Sequence, residues 1–154
     1  MGANFSRTIK QDAVYGVLAT AASTVYSDKI DLSGYKGVLI TALFKSTGAS
    51  TGHCTFTVVG ANSTATDSTS YTAITGASVT VEHSTTANDK RVCSLDICQP
   101  IYRYVKAKLV KQAGILLNGL LAQKYGAAVE PTAASTTYAG STAALSNVLT
   151  IGAT

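Results

Sequence analysis

The sequence predicts an all-β protein: an antiparallel β-sandwich or jelly-roll-like barrel with an extended N-terminal arm and a C-terminal tail. Short apolar stretches recur along the chain, separated by Gly, Ser, Thr, Asn and Asp residues, a pattern typical of sandwiches and barrels. Several stretches alternate apolar and polar side chains, as half-buried strands do. The length of 154 residues fits one domain that can bury a substantial core.

Three segments differ in composition. Residues 1–12 are polar and mixed and are interpreted as an arm, and residues 13–131 as the β-sandwich domain. Residues 132–154 carry no charged side chain and consist mainly of Ala, Ser, Thr and Gly. Because such a segment cannot build its own core, we expect it either to add a strand to its own sheet or to lie on a neighbouring subunit.

Nine stretches are predicted to be strands. The run GVLITALFK at residues 37–45 is nearly all apolar, which favours a central strand buried on both faces. In residues 53–60, Cys54, Phe56 and Val58 are expected to point inward. In residues 102–111 the alternation predicts Val105, Ala107 and Leu109 inward and Tyr104, Lys106 and Lys108 outward. The other predicted strands are residues 14–19, 25–32, 71–74, 77–82, 91–97, 102–111 and 115–123.

The stretch ILLNGLLAQ at residues 115–123 admits two interpretations. Its leucines fit a short buried helix, but Gly119 is unfavourable in a helix. The loop at residues 112–114 contains Gly and suits a hairpin, so a strand antiparallel to residues 102–111 is favoured.

The charge content argues for a protein that contacts other proteins. Only 13% of residues are charged, whereas soluble domains average about 25%. A surface of low charge suits a chain packed against neighbours in an assembly, although a hydroxyl-rich β domain would look similar. The net charge is +4, and the basic run Arg103, Lys106, Lys108 and Lys111 is interpreted as a solvated strand face or a patch for an acidic partner protein.

The three cysteines do not predict a disulfide framework, because their number is odd. Cys54 and Cys93 lie in apolar alternations and are expected to be small buried hydrophobes. The first residues lack the apolar segment of a signal peptide, and no apolar run approaches the length of a membrane span, so no membrane partner is predicted.

The sequence does not predict an enzyme, and it predicts no catalytic, cofactor-binding or metal-binding residue. The only histidines, His53 and His83, border polar loops, and the acidic residues form no close pair. Nucleophile motifs, phosphate-binding glycine loops and metal-ligand spacings are all missing from the sequence.

Tyr102 and Tyr104 lie two residues apart beside basic residues and are expected to face the same side. Edge-strand packing, a protein interface and base stacking are the alternatives, in that order, and nucleic acid is therefore not a favoured partner. The candidate contact residues combine this face with apolar, aromatic and basic side chains of the arm and tail. They are Phe5, Arg7, Ile9, Tyr102, Tyr104, Lys106, Lys108, Tyr138, Val148, Leu149 and Ile151.

Four features taken together suggest a family. They are the turn Ile30-Asp31-Leu32-Ser33-Gly34-Tyr35, the strand at residues 37–44, the segment Phe56-Thr57-Val58 and the segment Pro100-Ile101-Tyr102-Arg103-Tyr104-Val105-Lys106. Over roughly residues 14–131, the chain resembles the small β-sandwich decoration proteins, also called cement or auxiliary proteins, of tailed-bacteriophage capsids.

The resemblance implies a structural virion protein that is made in the bacterial host cytoplasm and sits on the capsid exterior. It would bind at junctions between major capsid protein subunits, with itself as a further partner in a dimer or trimer. The alternatives are another phage component, such as a tail-tube, head–tail joining or fibre protein, and a carbohydrate-binding sandwich module. The latter would use exposed aromatic residues, yet Trp is absent and Phe is scarce.

Overall fold

The computed structural model describes residues 9–15, 22–46, 52–63, 70–82 and 90–127. Every regular element in these ranges is a strand, as the all-β prediction requires. The nine strands are β1 Ile9–Tyr15, β2 Ser23–Tyr26, β3 Ile30–Asp31, β4 Gly37–Ser46, β5 His53–Ala61, β6 Thr72–Glu82, β7 Lys90–Cys98, β8 Tyr104–Lys111 and β9 Ile115–Tyr125.

The strands form two antiparallel sheets that pack as a sandwich. The four-stranded sheet has the order β1-β9-β4-β7, and the five-stranded sheet has the order β2-β8-β5-β6, with the short β3 also pairing with β8. The pairs are nested along the chain: β1 pairs with β9, β2 with β8, β4 with β7 and β5 with β6. This nesting is the topology of an eight-stranded jelly roll, so the predicted sandwich or jelly-roll architecture is confirmed. Residues 1–8 of the predicted arm and the predicted tail of residues 132–154 lie outside the described residues.

The core lies between the inner faces of the two sheets. Val38, Ile40 and Ala42 of β4 face Cys54, Phe56 and Val58 of β5 across the sandwich, and all six side chains are fully buried. The inward positions predicted for Val105, Ala107 and Leu109 of β8 are also confirmed. Alternation with period two in these strands therefore identified the core-facing residues correctly.

The sandwich is less closed on the side where β6 and β7 form the edges of the two sheets. The inward side chains of these strands, Val79, Val81, Cys93 and Leu95, are only half-buried although they pack against the core. Gly76 takes a positive φ of 81° where β6 departs from regular pairing with β5. This bulge joins the stretches predicted as separate strands at residues 71–74 and 77–82 into one strand.

Two features differ from the sequence-based expectation, and one open alternative is resolved. Strand β1 begins at Ile9, inside the predicted arm of residues 1–12, because its backbone pairs with β9. Residues 115–123 belong to strand β9, so the strand interpretation of ILLNGLLAQ is confirmed. The central strand β4 is buried on one face only, since Leu43 on its outer face is 43% exposed.

Candidate protein-contact surfaces

The outer face of the five-stranded sheet carries tyrosine rings covered by lysine ammonium groups. We call this the tyrosine–lysine face and define it by Tyr26, Tyr71, Tyr104, Lys106 and Lys108. The predicted outward direction of Tyr104, Lys106 and Lys108 is confirmed, because these residues pair with Ala61, Val59 and Thr57 on the side of the sheet away from the core. Lys108 Nζ lies 5.9 Å from the Tyr26 ring centroid, and Lys106 Nζ lies 4.8 Å from that of Tyr71.

Tyr104 is the most heavily covered ring of this face. Its side chain is only 5% exposed, and Lys29 Nζ and Arg103 Cζ each lie 5.0 Å from its ring centroid. Arg103 also makes a two-pronged contact with Asp31, donating from Nε to Oδ1 over 3.1 Å and from Nη2 to Oδ2 over 3.0 Å. A ring so enclosed by cations offers little surface for stacking a nucleic acid base.

Lys106 and Tyr71 form the centre of the same face. Lys106 is 9% exposed, so its long side chain covers the small apolar cluster of Val59, Ala61, Tyr71 and Tyr104. Burial raises the pKa of the Tyr71 phenol, and its buried hydroxyl has no hydrogen-bond partner among the described residues. These side chains behave as packing groups, as in the first of the three alternatives, but β8 lies between β2 and β5 and is not an edge strand.

Tyr102 and Tyr104 do not share a side, and the expectation that they would is wrong. A Cβ built on Gly60 would collide with the Tyr102 ring. Gly60 pairs with the core residue Val105, so Tyr102 lies over the inner side of the sheet, whereas Tyr104 lies on its outer side. The reason is that residues 101–103 lie outside the strand, where strand alternation does not apply.

The outer face of the four-stranded sheet is largely uncharged and partly apolar. We call it the apolar outer face and define it by Leu39, Thr41, Leu43, Val92, Ser94, Leu116 and Leu121. Leu43 and Val92 are directly opposite each other on β4 and β7 and are 43% and 68% exposed. Two residues away, the hydroxyls of Thr41 and Ser94 are 2.9 Å apart. A hydrophobic pair of this exposure, continued by half-buried leucines, is a feature of contact surfaces.

Charged and aromatic groups border this apolar outer face. Lys45 pairs with Leu116 at one end. At the other end, Asp96 accepts a 2.6 Å hydrogen bond from the Tyr125 hydroxyl. Such an arrangement, with an uncharged centre and polar groups at the edge, resembles the general composition of protein interfaces.

Sequence reasoning missed the apolar outer face, although its signal was present. In both β4 and β9 the two alternating sets of side chains are rich in apolar residues. For β4 the pattern was interpreted as burial on both faces, yet among the described residues nothing covers Leu43 and Val92 to the extent that the core residues are covered. In this antiparallel sheet, the apolar run of β4 therefore has one face in the core and one apolar face that is partly exposed.

Several predicted contact residues lie outside the described part of the chain. They are Phe5, Arg7, Tyr138, Val148, Leu149 and Ile151. Ile9 belongs to β1 through its backbone pairing with Tyr125.

The cysteine expectation is confirmed for Cys54, which is fully buried, and only partly for Cys93, which is half-buried. Both are free thiols, as is the exposed Cys98. Within the described ranges, no cluster of three or more His, Cys, Asp or Glu side chains could hold a metal ion. A search of the same ranges finds no helix of the length and hydropathy needed to cross a membrane.

Comparison with known proteins gave no relative: no protein-family model matches this chain, and no curated protein matches it.

Proposed function

We propose that this chain is a structural virion protein that binds the outside of a bacteriophage capsid and stabilises it by bridging major capsid protein subunits. The observation that carries the proposal is the exposed Leu43–Val92 pair on the largely uncharged outer face of the four-stranded sheet. Burying such a face against another protein would be favourable at about 25 cal/mol per Å² of apolar surface.

The fold supports the same proposal by analogy. Jelly rolls occur in viral capsid proteins and in lectins, and fold analogy alone does not assign function. The surface distinguishes the two, because the rings of Tyr71 and Tyr104 are buried under lysines, whereas sugar binding uses exposed aromatic rings. We therefore favour another protein, rather than a sugar, as the binding partner of this chain.

The low charge content supports binding in many copies. With 13% charged residues, much of the surface can be dehydrated at small electrostatic cost. Repeated weak contacts on a shell combine into strong attachment through multivalency. One copy would not need a large affinity of its own.

The test is whether purified chain binds undecorated heads of the phage that encodes it. We expect the chain to co-sediment with heads and to raise the temperature at which they break open. Imaging of intact particles should place the chain over the shell. Failure to bind heads, or density on the tail instead, would overturn the proposal and favour another phage component.

A further inference from the structure

Strand β7 is an edge of the four-stranded sheet in the described part of the molecule. It pairs with β4 on one side, and no other described strand pairs with it on the other side. Such an edge presents backbone N–H and C=O groups to which a strand of another chain can add. The nine residues of β7 contain no proline, and their pairing with β4 has no bulge. Two common obstacles to strand addition are therefore missing from this edge.

The side chains of this edge are incompletely covered on both faces of the sheet. On the outer face, Val92 is 68% exposed. On the inner face, Cys93 and Leu95 are only half-buried, whereas Ala42 and Ile40, which lie opposite them on β4, are fully buried. A further strand beside β7 would cover the side chains of both faces.

We propose that β7 pairs with β7 of a second copy of this chain, antiparallel and about a two-fold axis, so that one continuous sheet runs through both molecules. The order of charges along β7 favours this partner. The strand begins with Lys90 and Arg91 and carries Asp96 near its end. Antiparallel pairing brings the basic start of each copy toward the acidic residue of the other, whereas parallel pairing would bring like charges together.

Charge and apolar contact select the same register, in which the two-fold axis passes between the Cys93 residues of the two copies. Lys90 then lies opposite Asp96 of the second copy, and Val92 lies opposite Ser94. The two Val92 residues become diagonal neighbours on the outer face, within reach of one another. The apolar outer faces of the two molecules thus join across the axis.

The neighbouring registers lose one of these two contacts. With the axis at Ser94, Val92 would lie opposite Asp96, an apolar residue against a carboxylate. With the axis at Val92, Asp96 would lie beyond the paired residues and have no basic residue of β7 opposite it. The axis at Cys93 is therefore the register that we expect.

Sedimentation equilibrium of the full chain, without heads, tests the dimer. We expect monomers and dimers to exchange at micromolar concentrations, since one added strand pair is a small interface. Val92→Lys should raise the dissociation constant of the dimer at least about tenfold, because it brings two like charges together beside the axis. Val110→Lys is the matched control, since Val110 is exposed on the other sheet, and it should leave the dissociation constant unchanged.

A chain that stays monomeric throughout the micromolar range, or equal dissociation constants for the two variants, would overturn the dimer. The dimer does not depend on capsid binding. Because the measurement contains no heads, the dimer can fail while head binding holds, and head binding can fail while the dimer holds.

Disulfide formation tests the register. In a Cys98→Ser background, oxidation with diamide should link Cys93 to Cys93 of the second copy, since opposed residues of paired strands lie within disulfide range. The control in the same background combines Cys93→Ser with Leu95→Cys. It should not link, because position 95 lies opposite Arg91 of the second copy. A Cys93 chain that gives no linked dimer, or preferential linking of the control, would overturn the register.

Discussion

The Tyr125 hydroxyl donates a 2.6 Å hydrogen bond to Asp96 Oδ1, although β9 and β7 are separated by the whole of strand β4. The tyrosine reaches across because the residue between them is Gly37, where a Cβ would collide with the Tyr125 ring. Burial, and then the hydrogen bond to Asp96, raise the pKa of Tyr125. The ring thus ties three strands together at one end of the apolar outer face.

Tyr125→Phe should destabilise the chain by about 1 kcal/mol, because it removes one hydrogen bond to a carboxylate at a partly solvated site and keeps the ring. Denaturant unfolding measures the change. The variant Tyr35→Phe is a suitable control, since it removes a hydroxyl from another half-buried tyrosine. If both variants have the same free energy of unfolding as the wild type, the Tyr125–Asp96 hydrogen bond contributes nothing to stability.

Gly37→Ala should destabilise the chain by about 2 kcal/mol, because the added methyl group would overlap the Tyr125 ring and lie 2.7 Å from the Ile97 carbonyl oxygen. In a Tyr125→Ala background the same substitution should cost less, since only the backbone contact remains. A double-mutant cycle from denaturant unfolding measures the difference. Strict additivity would show that the ring and the glycine are not coupled.

Arg103→Gln should move the pKa of Asp31 upward, toward its ordinary value of 3.8. The hydrogen bond from Arg103 is the largest cause of the lowered pKa of Asp31 in the folded chain. Because the pKa of Asp31 is lower in the folded chain than in the unfolded chain, the Arg103–Asp31 contact stabilises the fold above about pH 3.8. This stabilisation is lost as the pH falls through the Asp31 pKa of the folded chain. Carboxyl NMR titration reads the change directly.

The control for this titration is Lys29→Gln. It removes the other cation that lies over the Tyr104 ring but does not contact Asp31. An Asp31 pKa that moves equally in both variants would contradict the assignment to Arg103.

The three thiols should react with iodoacetamide at pH 8 in the order Cys98, Cys93, Cys54. Cys98 is exposed, and burial raises the pKa of both other thiols, that of Cys54 from 9.0 to about 11. At pH 8 a thiol of that pKa carries about 100-fold less thiolate than an ordinary one, and thiolate is the reactive form. Mass spectrometry of partly alkylated chain gives the order. Alkylation of Cys54 as fast as Cys98 in the folded chain would contradict the burial of Cys54.

The fold could be predicted from the sequence because period-two alternation is a local signal. Cys54, Phe56 and Val58, for example, point inward as their spacing indicated. The nested pairing of β1 with β9 could not be predicted in this way, because it joins residues that are far apart in the chain. Nor could the merging of two stretches into β6, since it depends on the positive φ of Gly76.

The contact surface was harder to predict than the fold. Tyr104 and Lys106 fitted the composition of an interface, yet both are buried because cation–π contacts fold the lysine side chains over the rings. Leu43 was assigned to a strand buried on both faces, and Val92 to a separate predicted strand at residues 91–97. Their opposed positions became visible only once β4 paired with β7. Exposure depends on tertiary neighbours, which periodicity does not specify.

Binding of two matched variants to undecorated heads tests the central claim most directly. Leu43 and Val110 are each 43% exposed, lie on the outer faces of opposite sheets and have a lysine two residues along the strand. We predict that Leu43→Glu weakens head binding at least tenfold, because it places a charge in the apolar outer face, whereas Val110→Glu binds as the wild type does. Equal binding by the two variants, or a loss confined to Val110→Glu, would contradict the account.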